Sequence, residues 1–221
     1  MKAFLTPLQG LAEFEQIKEK SKTNKGILQV SGCMESQKSH LMYGLSGIAP
    51  YRLILAEDER RAREIYEDYR FYDRKVYSYP AKDLLFFQAD IHGNLLIRQR
   101  MKVIKASLDA IDVTVVTSID GCMDFLESLE KIKEQLIHYE SDSTVDTEQL
   151  KNQLVVLGYE RVGQVEMPGQ FSVRGGIVDI YCLTEENPWR IELWGDEIDS
   201  IRSFDPESQR SLENLDELTI Y

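Results

Sequence analysis

The segment Gly32-Cys33-Met34-Glu35-Ser36-Gln37-Lys38-Ser39 has the spacing of a nucleotide-binding loop, G-x-x-x-x-G-K-[ST]. In a working loop the backbone amides wrap the phosphates, the lysine reaches their oxygens and the hydroxyl meets magnesium. The glycine before the lysine permits that close approach. Here its place is taken by Gln37, whose side chain fills the cradle, and Glu35 adds negative charge where phosphate oxygens sit. Hydrolysis also needs a carboxylate for magnesium and an activated water. Asp58, in Ala56-Glu57-Asp58-Glu59-Arg60, follows an apolar strand and imitates such a carboxylate. It reads more simply as the acidic first turn of a helix, favoured by the helix dipole. Gly32, Gln37, Lys38 and Ser39 are therefore read as a degenerate nucleotide loop, the competing account being a chance Lys-Ser after a glycine turn.

A second stretch is suited to binding rather than reaction. In Arg190-Ile191-Glu192-Leu193-Trp194, period-2 alternation puts Ile191 and Leu193 on one face and Arg190, Glu192 and Trp194 on the other. Burying Ile and Leu turns the indole and guanidinium outward, and Trp and Arg are the residues most enriched in binding hot spots. The competing accounts are an arginine paired with Glu192 and a tryptophan in the core of an opposite sheet face. Gly175 and Gly176 are expected to relieve a bend or bulge as a strand leaves Arg174. Asp196, Glu197 and Asp199 surround a turn at Gly195 and read as an acidic hairpin end rather than a metal site. His40, His92 and His138 are scattered, with no nucleophile beside them, and no catalytic residue or metal ligand is assigned. Cys33, Cys122 and Cys182 are odd in number and widely spaced, which argues against a disulfide framework or a zinc site.

The elements that must position these residues change character along the chain. Leu8, Leu11, Phe14 and Ile17 recur at helical spacing, ahead of the Lys-rich stretch Lys18 to Lys25. Strands are expected at 26–30, 52–56, 75–79 and 113–117, and helices at 37–45, 57–72 and 94–110. Strands alternating with helices imply a parallel, helix-covered sheet. Beyond 133 come a strand at 135–139, a polar turn at 141–144 and a helix at 146–157, capped by Asp146 and closed by Gly158. Strands then follow at 173–183, 189–194, 197–204 and 217–221 with no room for crossover helices, which indicates antiparallel hairpins. The expected fold is α/β: a partial P-loop-NTPase-like parallel sheet with helices over residues 1–130, then a small α+β antiparallel domain over 131–221.

Charge divides the chain in the same place. Of 221 residues with a net charge of −12, residues 1–133 hold 20 Lys and Arg against 19 Asp and Glu, whereas 134–221 hold 6 against 19. An acidic second half repels a nucleic-acid backbone, so protein is its natural partner. No apolar run approaches the ~20 residues of a membrane-spanning helix, and Met1 to Gly10 makes a poor secretory signal. A reduced, cytoplasmic protein without a membrane partner is expected.

The words Gly158-Tyr159-Glu160-Arg161-Val162, Pro168-Gly169-Gln170-Phe171-Ser172-Val173-Arg174-Gly175-Gly176-Ile177-Val178-Asp179-Ile180-Tyr181, Trp189 to Asp205 and Ser208-Gln209-Arg210-Ser211 closely resemble domain 2 of the bacterial excision-repair protein UvrB and its homologue in transcription-repair coupling factors. The first half has the place and pattern of the start of domain 1 in both. UvrB carries an intact ATP-binding loop there. The coupling factors carry a degenerate one, so Gln37 makes the coupling-factor family the nearer resemblance. The chain resembles an excised N-terminal piece of such a protein, ending just after domain 2.

The resemblance implies a non-catalytic module that docks UvrA through Arg174, Arg190 and Trp194, the last standing where phenylalanine is common. It implies no cofactor in these 221 residues, ATP and magnesium being expected only at the DNA-translocating motor of the full-length protein. RNA polymerase and DNA are reached through that remainder, and another domain is expected to mask the docking surface. Arg174→Ala or Arg190→Glu is expected to abolish UvrA binding with the fold intact. Two other readings compete: an ATP-binding helicase-like domain of a UvrB-type protein using Lys38 and Ser39, and a DNA-contacting element using Arg60, Arg61, Arg63, Arg98, Arg100 and Lys102 on solvated helix faces.

Overall fold

The structure, a computed structural model, describes residues 2–23, 26–82, 90–109 and 112–221. Lys25 and the expected helix end at Ala110 lie outside the described residues, as does the side chain of His92. The chain divides into two compact units, Met1–Leu84 with Ala106–Leu126, and Leu85–Lys105 with Glu127–Tyr221. In chain order, α1 (Thr6–Gln9), α2 (Ala12–Thr23), α3 (Glu35–Gly44), β1 (Tyr51–Ala56), α4 (Glu59–Arg70), β2 (Val76–Tyr79), α5 (Asp90–Asp109), β3 (Val113–Ser118) and α6 (Ile119–Cys122) are followed by α7 (Leu129–Glu134). No described helix is long and apolar enough to cross a membrane.

In the first unit, β1, β3 and β2 form a parallel sheet in that order. Helix α4 lays Ala62, Ile65 and Tyr69 against Val76 and Val116 of the sheet, the face its 3.6-residue periodicity marks. Asp58 caps α4 by accepting a hydrogen bond from the Arg61 amide at 2.7 Å, so it serves the helix terminus. The strand expected at 26–30 is not formed. That segment is irregular, with Ile27 97% exposed, because nothing in the β1–β3–β2 ladder pairs with it and an unpaired segment gains no strand hydrogen bonds. The run from Leu8 to Ile17 is two helices, since α1 ends at Gly10 before α2 begins.

In the second unit, β4 (Ile137–Glu140), α8 (Thr147–Val156), β5 (Glu160–Arg161), β6 (Gln170–Arg174), β7 (Ile177–Ile180), β8 (Trp189–Trp194), β9 (Glu197–Phe204), β10 (Ser211–Leu215) and β11 (Glu217–Ile220) follow. Six strands form one sheet in the order β10-β9-β8-β7-β6-β5, antiparallel except for the β5–β6 pair. Strands β4 and β11 form a separate antiparallel ribbon. One sheet face contributes Phe171, Val178, Ile180, Ile191 and Ile201 to a core shared with Leu150 and Leu154 of α8 and with Ile137, Leu218 and Ile220 of the ribbon. Asp146 caps α8, accepting from the amides of Glu148 and Gln149 at 3.0 Å each. Gly158 follows with φ +89°, a left-handed helix end suited to glycine.

Candidate functional site

The loop before α3 has turned its phosphate-binding groups on itself. The side-chain oxygen of Gln37 accepts the Met34 amide at 3.0 Å, so the residue in the glycine position serves as a cap for its own helix. Glu35 forms ion pairs with both Lys38 and Arg61. The hydrogen bond from Lys38, reinforced by Arg61, holds the Glu35 carboxyl below its usual range. Ser39 is buried. Gly32 retains a left-handed φ of +86°. A cleft of about 910 Å³ remains beside these groups, lined by Gly32, Lys38, Leu41, Ile54 and Arg61 among others. Its lysine is already neutralised by a carboxylate within the loop, which opposes a phosphate there.

The other face of the six-stranded sheet carries a polar row beside a small buried apolar cluster of Val165, Tyr181 and Phe204. Neighbouring strands align Ser172, Asp179, Arg190 and Arg202 in one row. Asp179 is fully buried and receives both arginines: Arg174 donates through Nη2 at 2.7 Å, and Arg190 through Nε at 2.7 Å and Nη2 at 2.9 Å. A buried carboxylate needs such donors, and the two-bond grip is the strong planar geometry of an arginine–carboxylate pair. That hydrogen bonding raises the Arg190 pKa above its ordinary value. Arg190 lies over the Phe204 ring, 4.4 Å from its centroid, and its Nη2 also reaches Gln209 Oε1 at 3.1 Å.

Alternation along β8 therefore places Arg190 on the expected face, but its side chain is only 15% exposed and is fastened down rather than free. The available Glu192 does not take it, pairing with Arg202 instead. Trp194, near the β8–β9 turn, is 83% exposed, and Arg174 is about half exposed. Gly175 and Gly176 do not form a bulge. They make the two-residue turn between β6 and β7, where Arg174 pairs with Ile177 and Gly175 has φ +59°.

Residues 137–221 match the UvrB interaction domain family. Over 206 residues the chain is 34% identical to the transcription-repair-coupling factor of Bacillus subtilis (strain 168), covering 86% of this chain and 18% of that protein. Over 146 residues it is 35% identical to those of Staphylococcus aureus (strain bovine RF122 / ET3-1) and Staphylococcus haemolyticus (strain JCSC1435), covering 66% of this chain and 12% of each. The chain thus spans less than a fifth of the length of these curated relatives. The resemblance read from the β-rich words is borne out.

Around this arginine cluster, sequence reasoning missed Asp179, Phe204 and Gln209. The readable signal for Asp179 was an acid between Val178 and Ile180 in an otherwise apolar strand. On the ribbon, His138 Nε2 lies 3.5 Å from Glu140 and 3.7 Å from Glu217, and its Nδ1 is 3.0 Å from the Thr219 hydroxyl. All three ligand-type side chains are exposed and cross-strand pairing accounts for their proximity. Burial pushes the Cys182 thiol up to about 12, so it is an inert core group. The proposed DNA-contacting arginines do not share a solvated face. Arg100 is buried, Arg98 donates to the Glu185 carbonyl at 2.8 Å, and Arg61 is tied to Glu35 and Glu64.

Proposed function

We propose that this chain is a non-catalytic recruitment module of a transcription-repair coupling factor, docking the excision-repair protein UvrA through Trp194 and Arg174, with Arg190 fixed beside them. The observation that carries this is an 83%-exposed tryptophan on the same sheet face as two arginines gathered on one buried aspartate, within the residues that match the UvrB interaction domain family. An exposed tryptophan and an oriented arginine are the residue types most enriched in hot spots. In the full-length protein, ATP-driven DNA translocation belongs to a motor elsewhere in the chain. Contacts with DNA and stalled RNA polymerase are made there too, in the cytoplasm.

Calorimetric titration of purified UvrA into this chain tests the reading. Trp194→Ala and Arg174→Ala each weaken binding at least roughly tenfold, or ~1.4 kcal/mol; the tryptophan change leaves stability nearly unchanged, whereas the arginine change also removes one of the two cations facing the buried Asp179. Full affinity in both variants overturns it.

A further inference from the structure

Gln209 has a backbone φ of +60°, in the left-handed region that residues with a Cβ adopt at an energetic cost. Among the described residues Asp142 is the other non-glycine case, and it lies in a polar turn where a short aspartate tolerates that conformation. Gln209 is held there by the closed turn, its backbone amide donating to the Asp205 carbonyl at 2.8 Å and the Asp205 amide to the Arg210 carbonyl at 2.9 Å, and by its side chain. Its amide nitrogen donates to the carbonyls of Pro206 at 2.8 Å and Val165 at 3.3 Å. Those two acceptors fix which way the amide points and leave Oε1 facing Arg190 Nη2. Asp205 braces the same turn by accepting from the Ser208 amide and hydroxyl, both at 2.7 Å.

Arg190 is thereby constrained on three sides: Asp179 takes Nε and one Nη2 hydrogen, Gln209 takes Nη2 from the opposite side, and Phe204 supports the guanidinium plane. Among the described residues no hydrogen-bond partner takes Arg190 Nη1, which leaves it as the group that can donate to a visitor. Phe204 itself is fully buried, so the platform does not yield.

We propose that Gln209 is a positioning residue, held in a strained turn to orient the Arg190 guanidinium so that Nη1 meets an acceptor oxygen on the docking partner. This rests on the UvrA-docking reading above. A fixed donor does not pay the ordering entropy that a free arginine loses on binding.

The test compares Gln209→Gly and Gln209→Ala in the whole chain, by thermal melting, by UvrA calorimetry, and by NMR measurement of Arg190 Nε–H exchange. Glycine relieves the left-handed backbone and alanine keeps it, so the glycine variant melts higher than the alanine one. Both weaken UvrA by roughly tenfold, because both lack the amide, and in both the Nε–H proton exchanges faster than in wild type. Affinity that instead ranks with melting temperature marks Gln209 as merely structural and overturns the proposal. Binding within twofold of wild type, or unchanged exchange at Arg190, overturns it as well. If wild type does not bind UvrA at all, the docking reading falls and the exchange measurement alone decides the positioning role.

Discussion

Arg190 and Trp194 are four residues apart on one strand face, yet their relations to solvent are opposite. The indole stands in water, whereas the guanidinium is the counter-charge of a buried carboxylate. The expectation that Arg190→Glu leaves the fold intact is therefore replaced. That substitution sets a second carboxylate against Asp179 and removes the partner of a buried charge, a change that costs about 3–5 kcal/mol. Urea unfolding of Arg190→Glu beside Trp194→Ala checks this, the tryptophan variant staying within ~0.5 kcal/mol of wild type. Asp205 adds a pH dependence. The Ser208 hydroxyl and amide hold its carboxyl below the ordinary value of 3.8. A depressed carboxylate lends stability that is fully present above 3.8 and lost as pH falls through its lower folded value. An acid titration of the Ser208 amide shift follows this with a midpoint under 3.8, and Asp205→Asn abolishes the transition.

At the scale of elements, the hairpins do the positioning. The β6–β7 turn brings Arg174 beside Asp179, and a Cβ on Gly176 would lie 2.8 Å from the Leu193 carbonyl oxygen, whose own amide bonds back to Gly176 at 2.7 Å. Gly176→Ala forces β7 and β8 apart where backbone meets backbone, and costs about 1–3 kcal/mol by urea denaturation. Most elements were legible from periodicity because one face of each is buried. Ala62, Ile65 and Tyr69 on α4, and Ile191 beside Arg190 on β8, are examples. Strand β10 was not legible: Ser211-Leu212-Glu213-Asn214-Leu215 is an edge strand, exposed along nearly its whole length and interrupted by a bulge against β9, so it carries no alternating apolar signature. The strand read at 26–30 fails for the converse reason, an apolar run without a ladder to join.

For the molecule as a whole, the loop chemistry and the charge distribution agree. Glu35 already neutralises Lys38, so ATP with magnesium at millimolar concentration leaves the melting temperature unchanged; a dose-dependent rise, the signature of ligand linkage, would restore the ATP-binding alternative. The amino-acid sequence by itself determined the two architectures, the acidic second half, the loss of the loop glycine and the family resemblance, because these depend on residue type at short spacing. Only the tertiary structure decided that Asp179, Gln209 and Phe204 converge on Arg190, and that Glu35 turns from the loop to meet Arg61. Those partners lie 11, 19, 14 and 26 positions apart along the chain. Local periodicity cannot report them, since strand register and turn geometry set which distant side chains share a face.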